Sequence, residues 1–172
     1  MELVSLKQLF QRLNGGRLLG LDVGSRNIGV AVSDPQCRIA SPHRWHDGWI
    51  SFIFYHLECW VILLLLLLLQ VQEFSITGFV IGYPLELTGF QGKQGAQVKL
   101  FVRELQLSKR FPTISYVYWD ERLTSMAVMN VIGSMDISGR RRKSIMDKMS
   151  ALCILQGCLD SLARLEKGTN GS

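Results

Sequence analysis

Three acidic positions, far apart along the chain, have the residue types and setting to do chemistry. They are Asp22 in GLDVGS, the Asp120–Glu121 pair in YVYWDERLT, and Asp147 in KSIMDKMSA. Each borders a segment with regular structure. Asp22 follows the strand-like run Leu18–Leu21, the pair closes another from Ile114 to Trp119, and Asp147 rides on a helical pattern. Carboxylates brought to one end of a sheet make an oxygen-rich, negative cage that suits hard divalent cations such as Mg²⁺ or Mn²⁺. Paired ions held in this way cut phosphodiesters by clamping both the attacking and the leaving oxygen. Side chains alternate along a strand, so only one of Asp120 and Glu121 turns easily into such a cage. Glu121 is favoured, and the other acid is left to pair with Arg122 or to cap the next helix.

Each of these residues also has a plainer reading. A DxG sequence suits an ordinary hairpin turn. Asp147 has Lys143 four residues before it, the spacing of an exposed helical ion pair. The surroundings favour phosphate chemistry. Gly20 and Gly24 leave the backbone near Asp22 uncrowded, so a phosphate can approach it. The loop GYPLELTGFQGKQGAQ is kept open by Gly82, Gly89, Gly92 and Gly95, carries Lys93, and can offer backbone N–H groups to phosphates. Arg140, Arg141, Arg142 and Lys143 form a basic run just before Asp147. Such a run is either a solvated face or a grip on a polyanion.

The chain has 172 residues, enough for one domain with a sizeable core, and residues 1–172 read as a single domain. Its net charge of +5 permits a polyanionic partner without requiring one. Cys37, Cys59, Cys153 and Cys158 form no CxxC pair and no zinc spacing, so they read as buried thiols in a reducing compartment. His43, His46 and His56, with Asp47, make only a weak metal candidate. The N-terminus shows no secretory signal or acid-poor transit pattern. The expected location is cytoplasmic, with an organelle as the alternative.

Residues 43–73 depart from the pattern of the rest. Trp49 to Leu69 reads WISFIFYHLECWVILLLLLLL, close to the length of a membrane span but interrupted by His56 and Glu58. Three readings stand: a membrane anchor, a buried helix, or a stretch produced by a retained intron or alternative exon. A leucine homopolymer specifies packing poorly. If the stretch is genuine, the expectation is a sheet uncovered on one face.

Hydrophobic periodicity and turn residues predict the elements that must position the acids. An N-terminal amphipathic helix ends at Asn14-Gly15-Gly16. Strands follow at Arg17–Asp22, Ile28–Ser33 and Cys37–Ser41, the first two antiparallel. After the apolar stretch come a doubly buried strand at 76–82, a loop from Tyr83 to Gly95, and a helix from Ala96 to Leu107. Then come a strand at Ile114–Trp119, a helix at Thr124–Ile132, a basic loop at Asp136–Arg142 and a final helix at Ser144–Leu165. The order is β-β-β-α-β-α-β-α, an α/β chain with a mixed central sheet flanked by helices.

GRLLGLDVGSRNIGVAVSDP, FVIGYPLELTGFQGKQGAQV, YWDERLTSMAV and GRRRKSIMDKMSALCILQGCLD together resemble the YqgF (RuvX) family. The family's members are described as pre-16S rRNA nucleases similar to Holliday-junction resolvases. The resemblance covers residues 17–42 and 74–162. It implies an RNase H-like fold and a metal-dependent nuclease, using Mg²⁺ or Mn²⁺ held by Asp22, Glu121 (or Asp120) and Asp147. It implies a ribosomal RNA precursor, processed at its 5′ end, or branched DNA as substrate. Arg122, Lys93 and Arg140–Lys143 would hold nucleic acid, and Gly24, Gly82, Gly89 and Gly92 would line the phosphate approach. A homodimer is an open alternative. Three competing readings remain: a non-catalytic nucleic-acid-binding protein of the same fold, a membrane-anchored derivative, and an actin-like ATPase. The last is disfavoured because 172 residues cannot supply two lobes.

Overall fold

The computed structural model describes residues 1–24, 28–42, 57–84, 92–120 and 139–169, with backbone alone at 57–59, 139–148, 168 and 169. The expected helix at Thr124–Ile132, the group of three histidines, and Gly89 lie outside these residues.

Alternating apolar residues build a six-stranded mixed sheet. Its strands are β1 (Glu2–Leu3), β2 (Arg17–Val23), β3 (Ile28–Ser33), β4 (Ala40–Pro42), β5 (Ile76–Tyr83) and β6 (Ser115–Asp120), in the spatial order β1-β6-β5-β2-β3-β4. β2, β5 and β6 run parallel, and β1 joins β6 in the same direction. β3 runs antiparallel to β2, with Val23 opposite Ile28 at the hairpin end. β4 runs antiparallel to β3. The C-terminal ends of the three central parallel strands therefore share one edge, the usual place for a ligand in an open α/β sheet.

Four described helices cover the two faces. Helices α1 (Leu6–Gln11) and α4 (Gly139–Thr169) lie on one, α2 (Leu57–Glu73) and α3 (Lys93–Leu107) on the other. Leu18, Val80 and Val117 pack beneath Ile154, Leu155 and Leu159 of α4. Leu19, Leu21, Phe79 and Ile81 pack beneath Leu63 and Leu67 of α2 and Val98 and Phe101 of α3. The strand pleat thus divides one sequence between two cores.

The predicted strand order holds, preceded by β1 and α1. β1 is only two residues long, too short for any periodic signal, and is held by backbone bonds from Glu2 N to Ile114 O (3.2 Å) and from Val4 N to Tyr116 O (3.0 Å). α1 is shorter than its leucine spacing predicts. Ser5 caps it through a reciprocal pair with Gln8 (2.8 and 3.2 Å), and the chain turns off at Asn14 and Gly15, both with positive φ.

The apolar stretch brings a correction. Residues 57–73 form a helix that does cover the sheet, with Leu63 and Leu67 fully buried and Trp60 edge-on to Phe101 at 5.8 Å between centroids. No helix among the described residues is long and apolar enough to cross a membrane. The opposite side of α2 leaves Val61, Ile62, Leu65 and Leu69 about half exposed. Ser75, at φ 52°, turns the chain from α2 into β5.

The third strand, expected at Cys37–Ser41, is Ala40–Pro42, because Cys37, at φ 51°, still belongs to the turn that its N–H closes on the Asp34 carbonyl. Two loop boundaries also differ. Lys93 and Gly95 belong to α3, which starts at Lys93 and not Ala96. Arg140, Arg141, Arg142 and Lys143 belong to α4, which starts at Gly139, so the basic segment is helical from there on. Arg and Lys are good helix formers, and only Gly139 interrupts the pattern.

Candidate active site

Asp22 sits at the last turn-ward pair but one of β2, opposite Gly29 of β3. On the other side the β2–β5 ladder runs to Leu21 opposite Ile81. Asp22 alternates with Gly20 and Leu18, which face α4. The residue opposite it on β3 and the residue two before it on the same face are both glycine. The side chain itself is half-buried.

The register at β6 gives the face of Asp120. Asp120 stands opposite Tyr83, and Gly82 stands opposite Trp119. Tyr83 and Tyr118 belong to the α2–α3 face, with ring centroids 5.1 Å apart, and Tyr116 lies 5.5 Å from Tyr118. Asp120 alternates with Tyr116 and Tyr118, so it shares their face and not that of Asp22. Burial, then the neighbouring Tyr116, pushes the Tyr118 phenol up to about 12. It stays neutral at ordinary pH and offers no anionic oxygen beside Asp120. Trp119 lies on the α4 face with Asp22, its indole against Gly157 and its Nε1 buried without a partner among the described residues. Glu121 and Arg122 lie outside the described residues.

Helix α4 lies over β2 and runs against it. Ala151 and Leu155 meet Gly20, near the middle of the strand. Gln156 then accepts from Ala40 N (2.8 Å) and donates to Arg38 O (3.0 Å). Ala40 pairs with Ser33, whose hydroxyl accepts from Leu18 N, so this contact marks the start of β2. The other direction along α4 leads towards Asp22. One helical turn back from Ala151 is position 147, about 6 Å along the axis. Two residues of strand separate Gly20 from Asp22, about 6.6 Å. The stretch of α4 before Ala151, with position 147 and then Arg140–Lys143 one to two turns further on, therefore leads from Gly20 towards the Asp22 end of β2.

α3 closes the remaining side. Gly92 is its N-cap, without a side-chain capping bond, and Lys93 opens its first turn. Gly95 is buried in that turn, where a Cβ would lie 3.2 Å from Tyr83 Oη. The absence of a side chain there serves close packing in a helix, not the opening of a loop. Gln97 Nε2 donates to the carbonyl of Gly24, at 3.1 Å, across the mouth of the β2–β3 hairpin. Sequence reasoning missed this bond. A single glutamine on a helix gives no periodic or motif signal.

Among the described residues no three His, Cys, Asp or Glu side chains cluster as metal ligands. What the described part supplies is one carboxylate, Asp22, in a glycine-flanked position at the sheet edge. Carboxylate oxygen is the donor type that Mg²⁺ and Mn²⁺ select, and the flanking glycines provide room for the waters such ions retain.

The RuvX family, described as Holliday junction resolvase, matches residues 16–161. A relative in Methylocella silvestris, named "Putative pre-16S rRNA nuclease", is 37% identical over 150 residues, covering 87% of this chain and 86% of its own. A relative of the same name in Rhizobium meliloti is 32% identical over 172 residues, covering 99% of this chain and 97% of its own. The crystal structure of the yeast mitochondrial Holliday junction resolvase Ydc2 matches at a TM-score of 0.51 and 10% identity, over 96% of this chain and 87% of that one. That likeness shows a shared RNase H-like architecture. The matched interval runs from β2, with Asp22, to the core-packed part of α4, and the chain belongs to the RuvX family of resolvase-like nucleases.

Proposed function

We propose that this protein is a metal-dependent nuclease that hydrolyses phosphodiester bonds in structured RNA, with the 5′ end of a ribosomal RNA precursor as its substrate. The observation that carries this reading is the setting of Asp22. It stands on the α4 face at the C-terminal edge of the parallel strands, with Gly29 opposite it and Gly20 two residues before it on the same face. Asp22, Glu121 and Asp147 are the ligands we assign to Mg²⁺ or Mn²⁺. Glu121 is preferred to Asp120 because Asp120 shares the tyrosine face and not that of Asp22. When bound, the ion supplies Lewis acidity at the scissile phosphate.

The chain's own groups then divide the work. Asp22 supplies fixed negative charge at the sheet edge and orients what binds there. Arg140–Arg142 and Lys143, at the start of α4, hold the flanking phosphates without reading sequence. Lys93 and the glycine-bordered segment from Gly82 to Gly92 line the approach, and Arg122 adds charge beside the acidic pair. A second substrate, branched DNA, is favoured by the description of the family as resolvase. The names of the curated relatives favour ribosomal precursor RNA. We read residues 1–172 as one domain, with 43–73 as its atypical part.

The test is cleavage of a structured ribosomal precursor RNA and of a four-way DNA junction, with Mg²⁺ and with chelator. Asp22→Asn should reduce cleavage to background while RNA binding stays equal or becomes tighter. Cleavage by Asp22→Asn at the parental rate ends the assignment. Metal-independent binding without cleavage by the parent protein points to the non-catalytic alternative.

A further inference from the structure

We infer that Gln97 is a positioning residue for Asp22, a role that rests on the nuclease reading above. The antiparallel ladder of the hairpin ends at Val23 opposite Ile28. The Gly24 carbonyl lies beyond that last described pair, two residues after Asp22. Gln97 Nε2 donates to this carbonyl at 3.1 Å, from 73 positions away in sequence. Gln97 is itself firmly held. Its neighbour Val98 and the next turn's Phe101 are fully buried against the sheet, and Phe101 is braced by Trp60.

The bond therefore ties the backbone just past β2 to a part of α3 that is anchored on the sheet. It also joins the two glycine-rich segments, because Gln97 lies one turn after Lys93, where the Gly82–Gly92 segment enters the helix. A catalytic carboxylate must be held to within about 0.5 Å of its working position. A misplacement of about 1 Å can lower a rate roughly 100-fold. Asp22 sits on a strand whose last residues are fixed on one side by β3 and, just past its end, by this side chain. A donor at position 97 is what matters, not the glutamine's bulk.

Two variants separate these. Gln97→Met keeps length and packing but removes the donor. Gln97→Lys, one atom longer, keeps a donor. In single-turnover cleavage of the precursor RNA, Gln97→Met should be roughly tenfold slower, with the RNA Kd within about twofold of the parent. Hydrogen exchange of the amides at 22–24 and 28–29 should quicken, and the melting temperature should hold. Gln97→Lys should recover most of the rate and the exchange protection. Equal rates for Gln97→Met and the parent overturn the role, as does an equal deficit in both variants. If the parent cleaves nothing while Asp22→Asn and parent bind RNA alike, the nuclease reading fails. Exchange then decides alone whether Gln97 holds the hairpin: unchanged protection in Gln97→Met overturns it.

Discussion

Gly20 lies directly under the carbonyl of Ala151: a Cβ at position 20 would stand 2.9 Å from that oxygen and 2.7 Å from Leu155 Cβ. Neither neighbour can swing aside, because one is helix backbone and the other is the root of a fully buried side chain. The glycine sets how closely α4 approaches β2, and so where position 147 stands relative to Asp22. Gly20→Ala should destabilise the fold by about 1–3 kcal/mol, the usual range for overpacking. That corresponds to a fall of about 2–4 °C in melting temperature per kcal/mol for a domain of this size. Cleavage measured well below the melting temperature should fall further than the folded fraction does, since α4 must lift from the strand that carries Asp22. A variant with parental stability would mean that the helix is free to shift.

The apolar stretch makes a sharper prediction about its own reality as structure. Leu67 is fully buried on the sheet, and Leu65, two positions earlier, is 55% exposed. Leu67→Ala should cost roughly 2–5 kcal/mol, as for other large-to-small core changes. Leu65→Gln should change stability by less than about 0.5 kcal/mol. Chemical denaturation of the two variants checks this directly. Equal small effects would show that α2 does not rest on the sheet.

Much of this arrangement is legible in the residues, for identifiable reasons. β2, β3, β5 and β6 carry long runs of branched apolar residues bounded by Gly, Asp or Pro, and their predicted limits fall within one residue of those observed. In the sequence, the choice between Asp120 and Glu121 rests on strand alternation alone, and the register with Tyr83 supplies the face of Asp120. Other features are illegible. β1 is two residues of edge pairing, fixed by a partner over a hundred positions away. The leucine run is apolar on every side, so no period can say which face meets the sheet; only the sheet's own shape decides that Leu63 and Leu67 go in. α3 and α4 start earlier than predicted, because glycine and clustered charge resemble loop. Gly95 and the arginines are in fact helical, and at Gly95 an added Cβ would stand 3.2 Å from Tyr83 Oη. The Gln97 bond to Gly24 depends on two distant segments meeting in space, which no local pattern encodes.

The basic start of α4 should act through charge alone. Replacing Arg140, Arg141 and Arg142 by Gln keeps helix propensity high and removes three positive charges. RNA affinity should weaken for all sequences alike, because phosphate binding of this kind carries no base information. The slope of log K against log salt should shrink by about 0.7–0.9 for each phosphate no longer neutralised. Titrations at several salt concentrations measure this. An unchanged slope would remove the segment from the interface and leave it as a solvated helix end.

Stability should fall at alkaline pH, and Cys158 should carry much of the fall. Its side chain has no solvent exposure, and burial pushes the thiol from near 9 up to about 12. Tyr118 is likewise raised from 10 to about 12 by burial. In both cases the folded state favours the protonated form. The unfolded chain therefore loses these protons first as pH rises. The stabilisation is fully present below the unfolded values near 9 and 10, and it is lost as pH climbs through that range towards 12. Cys158→Ala removes the thiol's share, so its stability should decline less steeply between about pH 9 and 12 while still responding to Tyr118. At about pH 8, below the ordinary thiol range, a thiol reagent should label the half-buried Cys37 and Cys153 well before Cys158. Rapid labelling of Cys158 in the folded protein, or an alkaline decline unchanged by Cys158→Ala, would show that α4 is not seated on β2 and β5 as described.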